Sequence, residues 1–95
     1  MPQAKGKSTT VSSATQSDFI FLDPGEWALM ATASAWGQAT LQVGDGSKFA
    51  NAQDGAGDVT FTADKTVIVA GGMCYRLNVT SYSQPITLSA FRSKN

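Results

Sequence analysis

The stretch MCYRLNVTS, residues 73–81, decides the fold, because apolar and polar side chains alternate along most of it. An alternation with a period of two is typical of a β-strand that buries one face and exposes the other. Tyr75, Leu77 and Val79 are therefore predicted to face the core, and the polar residues between them to face outward. This strand is the starting point for reading the rest of the chain.

The same alternation recurs on both sides of this strand. Turn signals such as Asp23-Pro24-Gly25, Asp45-Gly46 and Gly71-Gly72 separate the alternating stretches. About seven or eight short strands result, which is typical of an all-β fold, and we predict a small antiparallel β-sandwich or a jelly-roll-like barrel. The other residues predicted to face inward form four sets: Trp27, Leu29, Ala31 and Ala33; Ala39, Leu41 and Val43; Val59, Phe61 and Ala63; Ile86, Leu88 and Ala90.

The first part of the chain has a different composition. Residues 1–17 contain almost no large apolar side chains, and such a segment buries too little surface to offset the entropy lost on ordering. We therefore predict a flexible N-terminal arm over 1–17, one β-sandwich domain over 18–92 and a short C-terminal tail over 93–95. A chain of 95 residues has room for one domain.

The charges are unevenly distributed, although the formal net charge is zero. All seven acids lie between Asp18 and Phe91, whereas the bases Lys5, Lys7, Arg92 and Lys94 lie near the two ends. The basic ends are either solubilising tails or docking segments for acidic surfaces of neighbouring proteins. No basic face runs through the body, so nucleic-acid binding is not predicted. No apolar run approaches the length of a membrane span.

The residues needed for common catalytic chemistry are missing. The sequence contains no histidine and one cysteine, Cys74, which excludes Ser–His and Cys–His pairs, a disulfide within the chain and a typical zinc site. A carboxylate pair or a calcium site made by Asp45, Asp54 and Asp58 is the remaining option, and ordinary turn aspartates are the favoured interpretation. We predict that the protein is not an enzyme and has no metal or cofactor.

The two tryptophans and Cys74 each allow two interpretations. Trp27 and Trp36 could form a stacking platform for a sugar. The inward position of Trp27 favours core packing, whereas Trp36 precedes Gly37 at a strand end, where an exposed contact is equally favoured. Cys74 lies off the Tyr75 face, and a buried inert thiol is favoured over a reactive one.

Several motifs resemble those of a known family. The segments LDPGEWAL, residues 22–29, TLQVGDG, residues 40–46, and YRLNVT, residues 75–80, are similar to segments of small β-sandwich virion proteins from tailed bacteriophages. The resemblance covers roughly residues 20–81 and consists of turns and strand faces. It implies a β-sandwich that assembles on the virion, on the head, at a head-fibre base or in the tail. The basic, Ser/Thr-rich N-terminal arm favours a decoration or cement protein on the capsid exterior, made in the cytoplasm of the bacterial host.

The resemblance also implies partners. The expected partners are the major capsid protein and sister copies of the chain, with a trimer favoured. The residues predicted to contact them are Lys5, Lys7, Trp36, Arg76 and Arg92. Two rival functions stay open: a tail- or fibre-associated module that binds a host receptor or glycan, and a small carbohydrate- or calcium-binding domain.

Overall fold

The structure, a computed structural model, describes residues 7–93. Eleven β-strands and no helix form this part of the chain, so it holds no helix long and apolar enough to cross a membrane. The strands are β1 (Lys7–Val11), β2 (Ile20–Leu22), β3 (Glu26–Ala33), β4 (Gln38–Gly44), β5 (Phe49–Asn51), β6 (Gln53–Asp54), β7 (Gly57–Asp58), β8 (Thr60–Phe61), β9 (Lys65–Ala70), β10 (Met73–Ser81) and β11 (Ile86–Arg92).

The longer strands form two antiparallel sheets. The first sheet has the order β1-β11-β3-β9. The second sheet has the order β2-β10-β4-β5, and β8 pairs with β4 beyond the end of β5. Since β5 pairs with residues 42–44 and β8 with residues 39–40, β5 and β8 act as one interrupted strand along the same edge of β4. The hairpin β6–β7 forms the interruption.

This strand order is that of a jelly roll. With β5 and β8 counted as one strand and the β6–β7 hairpin left out, the described chain has eight main strands. The first, eighth, third and sixth lie in one sheet, and the second, seventh, fourth and fifth lie in the other. Two sheets connected in this order are characteristic of the double-sheet jelly roll. The predicted all-β antiparallel sandwich is therefore confirmed.

The core lies between the inner faces of the two sheets, as the alternation predicts. Tyr75, Leu77 and Val79 on β10 are buried and lie opposite Val43, Leu41 and Ala39 on β4. The largest side chains with no exposed surface are Phe61, Leu22, Leu29, Leu41, Leu77, Ile86 and Leu88. Ala63 is an exception to the prediction: it is exposed, because β8 ends at Phe61 and the chain then turns.

The prediction of a flexible arm over residues 1–17 is wrong for residues 7–17. Strand β1 pairs with β11 from Lys7 to Val11, and the Val11 side chain is only 4% exposed. Gln16 then forms a bridge with Asn78, and the buried Ser17 accepts a hydrogen bond from the Leu77 amide at 3.0 Å. Backbone pairing and one buried valine hold this segment despite its polar composition. Residues 1–6 and 94–95 lie outside the described part of the chain.

The hairpin β6–β7 was also not predicted from the sequence. Its two strands have two residues each, and none of their side chains is buried. The amide of Val59 donates to the Ala52 carbonyl at 2.9 Å, which closes the base of the hairpin. A hairpin held by hydrogen bonds, without buried side chains, leaves no apolar alternation in the sequence.

Candidate partner-binding surface

The outer face of the second sheet carries a row of three aromatic side chains, two exposed and one half-buried. Phe21 on β2, Cys74 on β10, Gly44 on β4 and Phe49 on β5 are consecutive partners across the four strands. Phe19, which precedes β2, contacts Phe49 with ring centroids 5.7 Å apart. We call the three phenylalanines the aromatic row. Phe19 is 46% exposed and Phe21 is 45% exposed, whereas Ile20 between them is buried.

A glycine makes room for the aromatic row. A Cβ atom at Gly44 would lie 2.0 Å from the Lys48 carbonyl oxygen and 2.9 Å from the Phe49 ring, so no larger residue fits without a backbone shift. Gly46 has a φ of +96°, which L-residues with side chains rarely adopt. This turn brings the chain beside Phe19 and Cys74. The Asp45–Gly46 turn therefore contributes to the surface as well as reversing the chain.

A chain of hydrogen-bonded polar side chains lies beside the aromatic row, two residues further along β10, β4 and β5 on the same face. Arg76 Nε donates to Gln42 Oε1 at 2.8 Å, and Gln42 Nε2 donates to Asn51 Oδ1 at 3.1 Å. Asn51 Nδ2 then donates to Asp58 Oδ2 at 3.1 Å. We call these four residues the amide row. Because each side chain is held by the next, their geometry is set before any partner binds.

Each predicted basic contact residue within 7–93 lies over an aromatic ring. The guanidinium carbon of Arg76 lies 4.0 Å from the Phe49 centroid, and Lys7 Nζ lies 5.6 Å from the Phe21 centroid. Cations at such distances are attracted by the ring quadrupole. The structure thus brings Lys7 and Arg76 to the two ends of the aromatic row. Lys5 lies outside the described residues.

Arg92 lies elsewhere and contributes to the fold. Its guanidinium carbon lies 4.7 Å from the Trp27 centroid, and Nη1 donates to the Pro24 carbonyl at 2.9 Å. These contacts fasten the Asp23–Gly25 turn to the end of β11. Trp27 is buried, as predicted, and its indole N–H donates to the Asp23 carbonyl at 2.8 Å.

Trp36 is half-buried and held from two sides. Its indole N–H donates to Asp64 Oδ1 at 2.7 Å, and its ring centroid lies 6.4 Å from that of the buried Phe61. The bond from Trp36 and a second one from the Ala33 amide hold the pKa of the Asp64 carboxyl below its ordinary value. Trp36 therefore joins the loop after β3 to the loop before β9 and lies away from the aromatic row.

The aspartates suggested for calcium or catalysis serve local structure. Asp45 accepts hydrogen bonds from the amides of Lys48 and Ser47, which lower the pKa of its carboxyl. Asp54 accepts from the Ala56 amide at 2.7 Å, and Asp58 belongs to the amide row. Among residues 7–93, no group of three or more Cys, Asp or Glu is arranged to hold a metal ion.

The sequence-based prediction missed the aromatic row. Within residues 19–22, FIFL, Ile20 and Leu22 face inward and the phenylalanines face outward. All four positions are apolar, so the sequence pattern does not show which face is exposed. Cys74 is buried and unpaired, as predicted, and lies within the row.

Comparisons with known proteins identify no relative: no family model, no curated protein and no solved structure matches this chain.

Proposed function

We propose that this protein is a non-enzymatic decoration protein that binds the major capsid protein on the outside of a tailed-bacteriophage virion. The observation that carries the proposal is the aromatic row on the outer sheet face, in which Phe19 and Phe21 are exposed and Lys7 and Arg76 lie at the two ends. Aromatic residues and arginine are enriched in protein interfaces and supply much of their binding energy.

The fold and the sequence motifs support the virion as the location. Jelly rolls are used by viral capsid and lectin domains, so the strand order is compatible with this function without specifying it. The motifs in residues 22–29, 40–46 and 75–80 resemble those of phage virion proteins. In the structure they form β2 to β3, the end of β4 with its turn, and β10, and the last two of these support the aromatic row.

The mechanism follows from the two kinds of contact on this face. The phenylalanines would fill apolar depressions of the shell, and Lys7 and Arg76 would meet its acidic side chains. The amide row would supply hydrogen bonds at the rim of the interface, where polar contacts give specificity. Binding by several linked copies would raise the total affinity above that of a single copy.

Co-sedimentation with empty capsids tests this proposal. Phe21→Ser removes an exposed ring from the aromatic row, and we expect capsid binding to weaken by about tenfold or more. Phe91→Ser is the matched control, because Phe91 is 46% exposed on the outer face of the first sheet. Equal binding by the two variants, with both folds intact by circular dichroism, would contradict the proposal.

A glycan-binding module is the second candidate, because one specific feature favours it. The aromatic row and the amide row lie side by side, and sugar rings bind to apolar faces and hydrogen-bonding amides of this kind. A glycan array distinguishes the two candidates. Specific binding to a glycan that is lost in Gln42→Ala, without binding to capsids, would favour the glycan-binding module.

A further inference from the structure

The sandwich is open on the side between β9 and the interrupted strand β5/β8. A cavity of about 300 Å³ lies between the sheets there. Tyr75 closes its inner end, and the Tyr75 hydroxyl donates to the Ala70 carbonyl at 2.7 Å. Burial of the hydroxyl raises its pKa. The cavity is mainly apolar, and the core-facing residues that line it include Leu41, Val43, Val59, Val67, Val69 and Tyr75.

Strand β9 forms the free edge beside this cavity, since its single partner within residues 7–93 is β3. The two edges of the second sheet are short or interrupted. Strand β5/β8 is interrupted by a hairpin, β2 has three residues, and Lys7 Nζ donates to the Phe21 carbonyl of β2. Short, interrupted and lysine-covered edges are the usual protection of native sheets against unwanted strand pairing.

After Lys65 at its start, the sequence of β9 lacks such protection. Residues 66–70 read TVIVA, a run without charge, proline or glycine. Ile68 points away from the core and is 57% exposed, the largest exposed fraction among the large apolar side chains of residues 7–93. An uncharged β-branched edge strand with a free row of backbone groups pairs readily with another strand.

We propose that β9 is a self-association seam, in which β9 of a second copy pairs with it antiparallel about a twofold axis at Ile68. Opposite residues in an antiparallel pair share a face, so the axis must pass through a residue. Centring it on Ile68 places Ile68 against Ile68 on the outer face, and Thr66 against Ala70. Val67 then lies opposite Val69 on the side of the cavity.

The charges beside β9 favour a second copy as the occupant: Lys65 at the start of β9 and Asp54 of β6 at the cavity. In this register Lys65 of one copy lies opposite Gly71 of the other. Lys65 occupies the same face of β9 as Val67 and Val69, which is the face toward the second sheet. Asp54 lines the cavity together with Ala70, so the lysine of one copy approaches the acid of the other. Two identical copies thereby supply both the apolar contacts, from β9, and the opposite charges, Lys65 on β9 and Asp54 on β6.

The seam differs from the proposed capsid contact in location and in symmetry. It joins the first sheets of the two copies into a single sheet of eight strands and leaves the aromatic row on the second sheet free. Pairing about a twofold axis is isologous and closes as a dimer. It therefore replaces the trimer that the sequence resemblance implies, and it does not depend on the capsid proposal.

Light scattering across a concentration series measures the assembly. The wild-type chain should have the mass of a dimer, and Ile68→Lys should dissociate at a protein concentration at least tenfold higher. Phe91→Lys is the matched control, because Phe91 lies on the same face two strands away, and its dimer should dissociate like the wild type. A wild-type monomer or trimer, or equal dissociation of both variants, would overturn the seam.

Cysteine cross-linking tests the register. Ile68→Cys lies on the axis and should form a covalent dimer under mild oxidation. In Thr66→Cys the two engineered residues would be about 14 Å apart along the strands, beyond the reach of a disulfide. Cross-linking of Thr66→Cys as fast as Ile68→Cys would refute this register. A wild-type chain that forms the dimer but does not bind capsids would refute only the capsid proposal.

Discussion

One side of the sandwich is closed by polar segments, and the other side is open. On the side of β1 and β2, polar segments seal the core: Lys7 donates to the Phe21 carbonyl, Gln16 pairs with Asn78, and Val11 is buried. On the side of β9, apolar residues border a cavity, and the valines Val67 and Val69 remain half-buried. The polar segment closes the fold, whereas the segment with the strongest strand composition is left at an open edge.

This difference shows that strand composition and strand protection are separate properties. Residues 7–11 have a weak strand sequence, yet β11 supplies partners for the whole of β1. Residues 66–70 have a composition that strongly favours a strand, and their outer edge is unpaired within the described chain. An apolar edge of this kind costs solubility unless a partner covers it. The open side is therefore where we expect intermolecular contact.

Paired valine truncations give the largest expected effect. Val11→Ala on the closed side removes buried methyl groups and should lower the free energy of unfolding by about 2.5 kcal/mol. Val67→Ala on the open side should cost less than about 1 kcal/mol at protein concentrations where the chain is monomeric, because its side chain is already half-exposed. Urea unfolding measures both. Equal losses would mean that the two sides contribute alike.

Removing one hydroxyl on the closed side should have the next largest effect. Ser17 Oγ accepts from the Leu77 amide at 3.0 Å and donates to the Asp18 carbonyl at 2.9 Å. Ser17→Ala leaves the buried amide without this partner, which should cost about 2 kcal/mol in urea unfolding. Ser8→Ala on the exposed face of β1 is the control, with an expected change within about 0.5 kcal/mol. A Ser17→Ala variant as stable as this control would show that the segment before β2 does not hold the fold.

Filling the cavity should stabilise the open side. Val67→Ile adds one methylene at the wall of the cavity and should raise the free energy of unfolding by about 0.8 kcal/mol. Leu88→Phe is the contrasting variant, since Leu88 has no exposed surface and extra volume there should be destabilising. Destabilisation by Val67→Ile, measured in urea, would mean that this wall is already tightly packed.

The smallest expected effect is a pH dependence at Trp36. The Trp36 indole N–H and then the Ala33 amide lower the pKa of Asp64 in the folded protein. The ionised carboxylate therefore stabilises the fold above its unfolded pKa of about 4, and this contribution is lost as the pH falls through the lower folded pKa. Asp64→Asn should lower the urea midpoint at pH 7 and change it less at pH 2.5.

Trp36→Phe provides the comparison for this pH effect. It removes the main donor to Asp64 and retains a ring against Phe61, so it should reproduce the pH dependence of Asp64→Asn. If the two variants respond differently to pH, another group controls the acid sensitivity.

The sequence predicted the strands whose alternation reflects a one-sided core. The bounds of β3, β4 and β10 match the predicted strands because an apolar residue at every second position faces inward. Strand β1 was missed because its inward positions are Lys7, Thr9 and Val11, of which only the last is apolar. Strand β1 forms because it pairs with β11, which is distant in the sequence.

The candidate site was predictable only in part. Arg76 was identified as an outward-facing residue, but its contact with Phe49 joins strands whose pairing the sequence does not reveal. The exposed phenylalanines lie in an all-apolar segment, where the pattern cannot distinguish inside from outside. The roles of Trp36 and Arg92 within the fold depend on Asp64 and Trp27, which only the folded chain brings beside them.

A cryo-electron microscopy reconstruction of capsids mixed with the protein tests the central claim most directly. The proposed function predicts density on the outside of the shell, with the aromatic row on the second sheet facing the major capsid protein. Capsids without bound protein, or bound protein with Phe19 and Phe21 facing solvent, would contradict it.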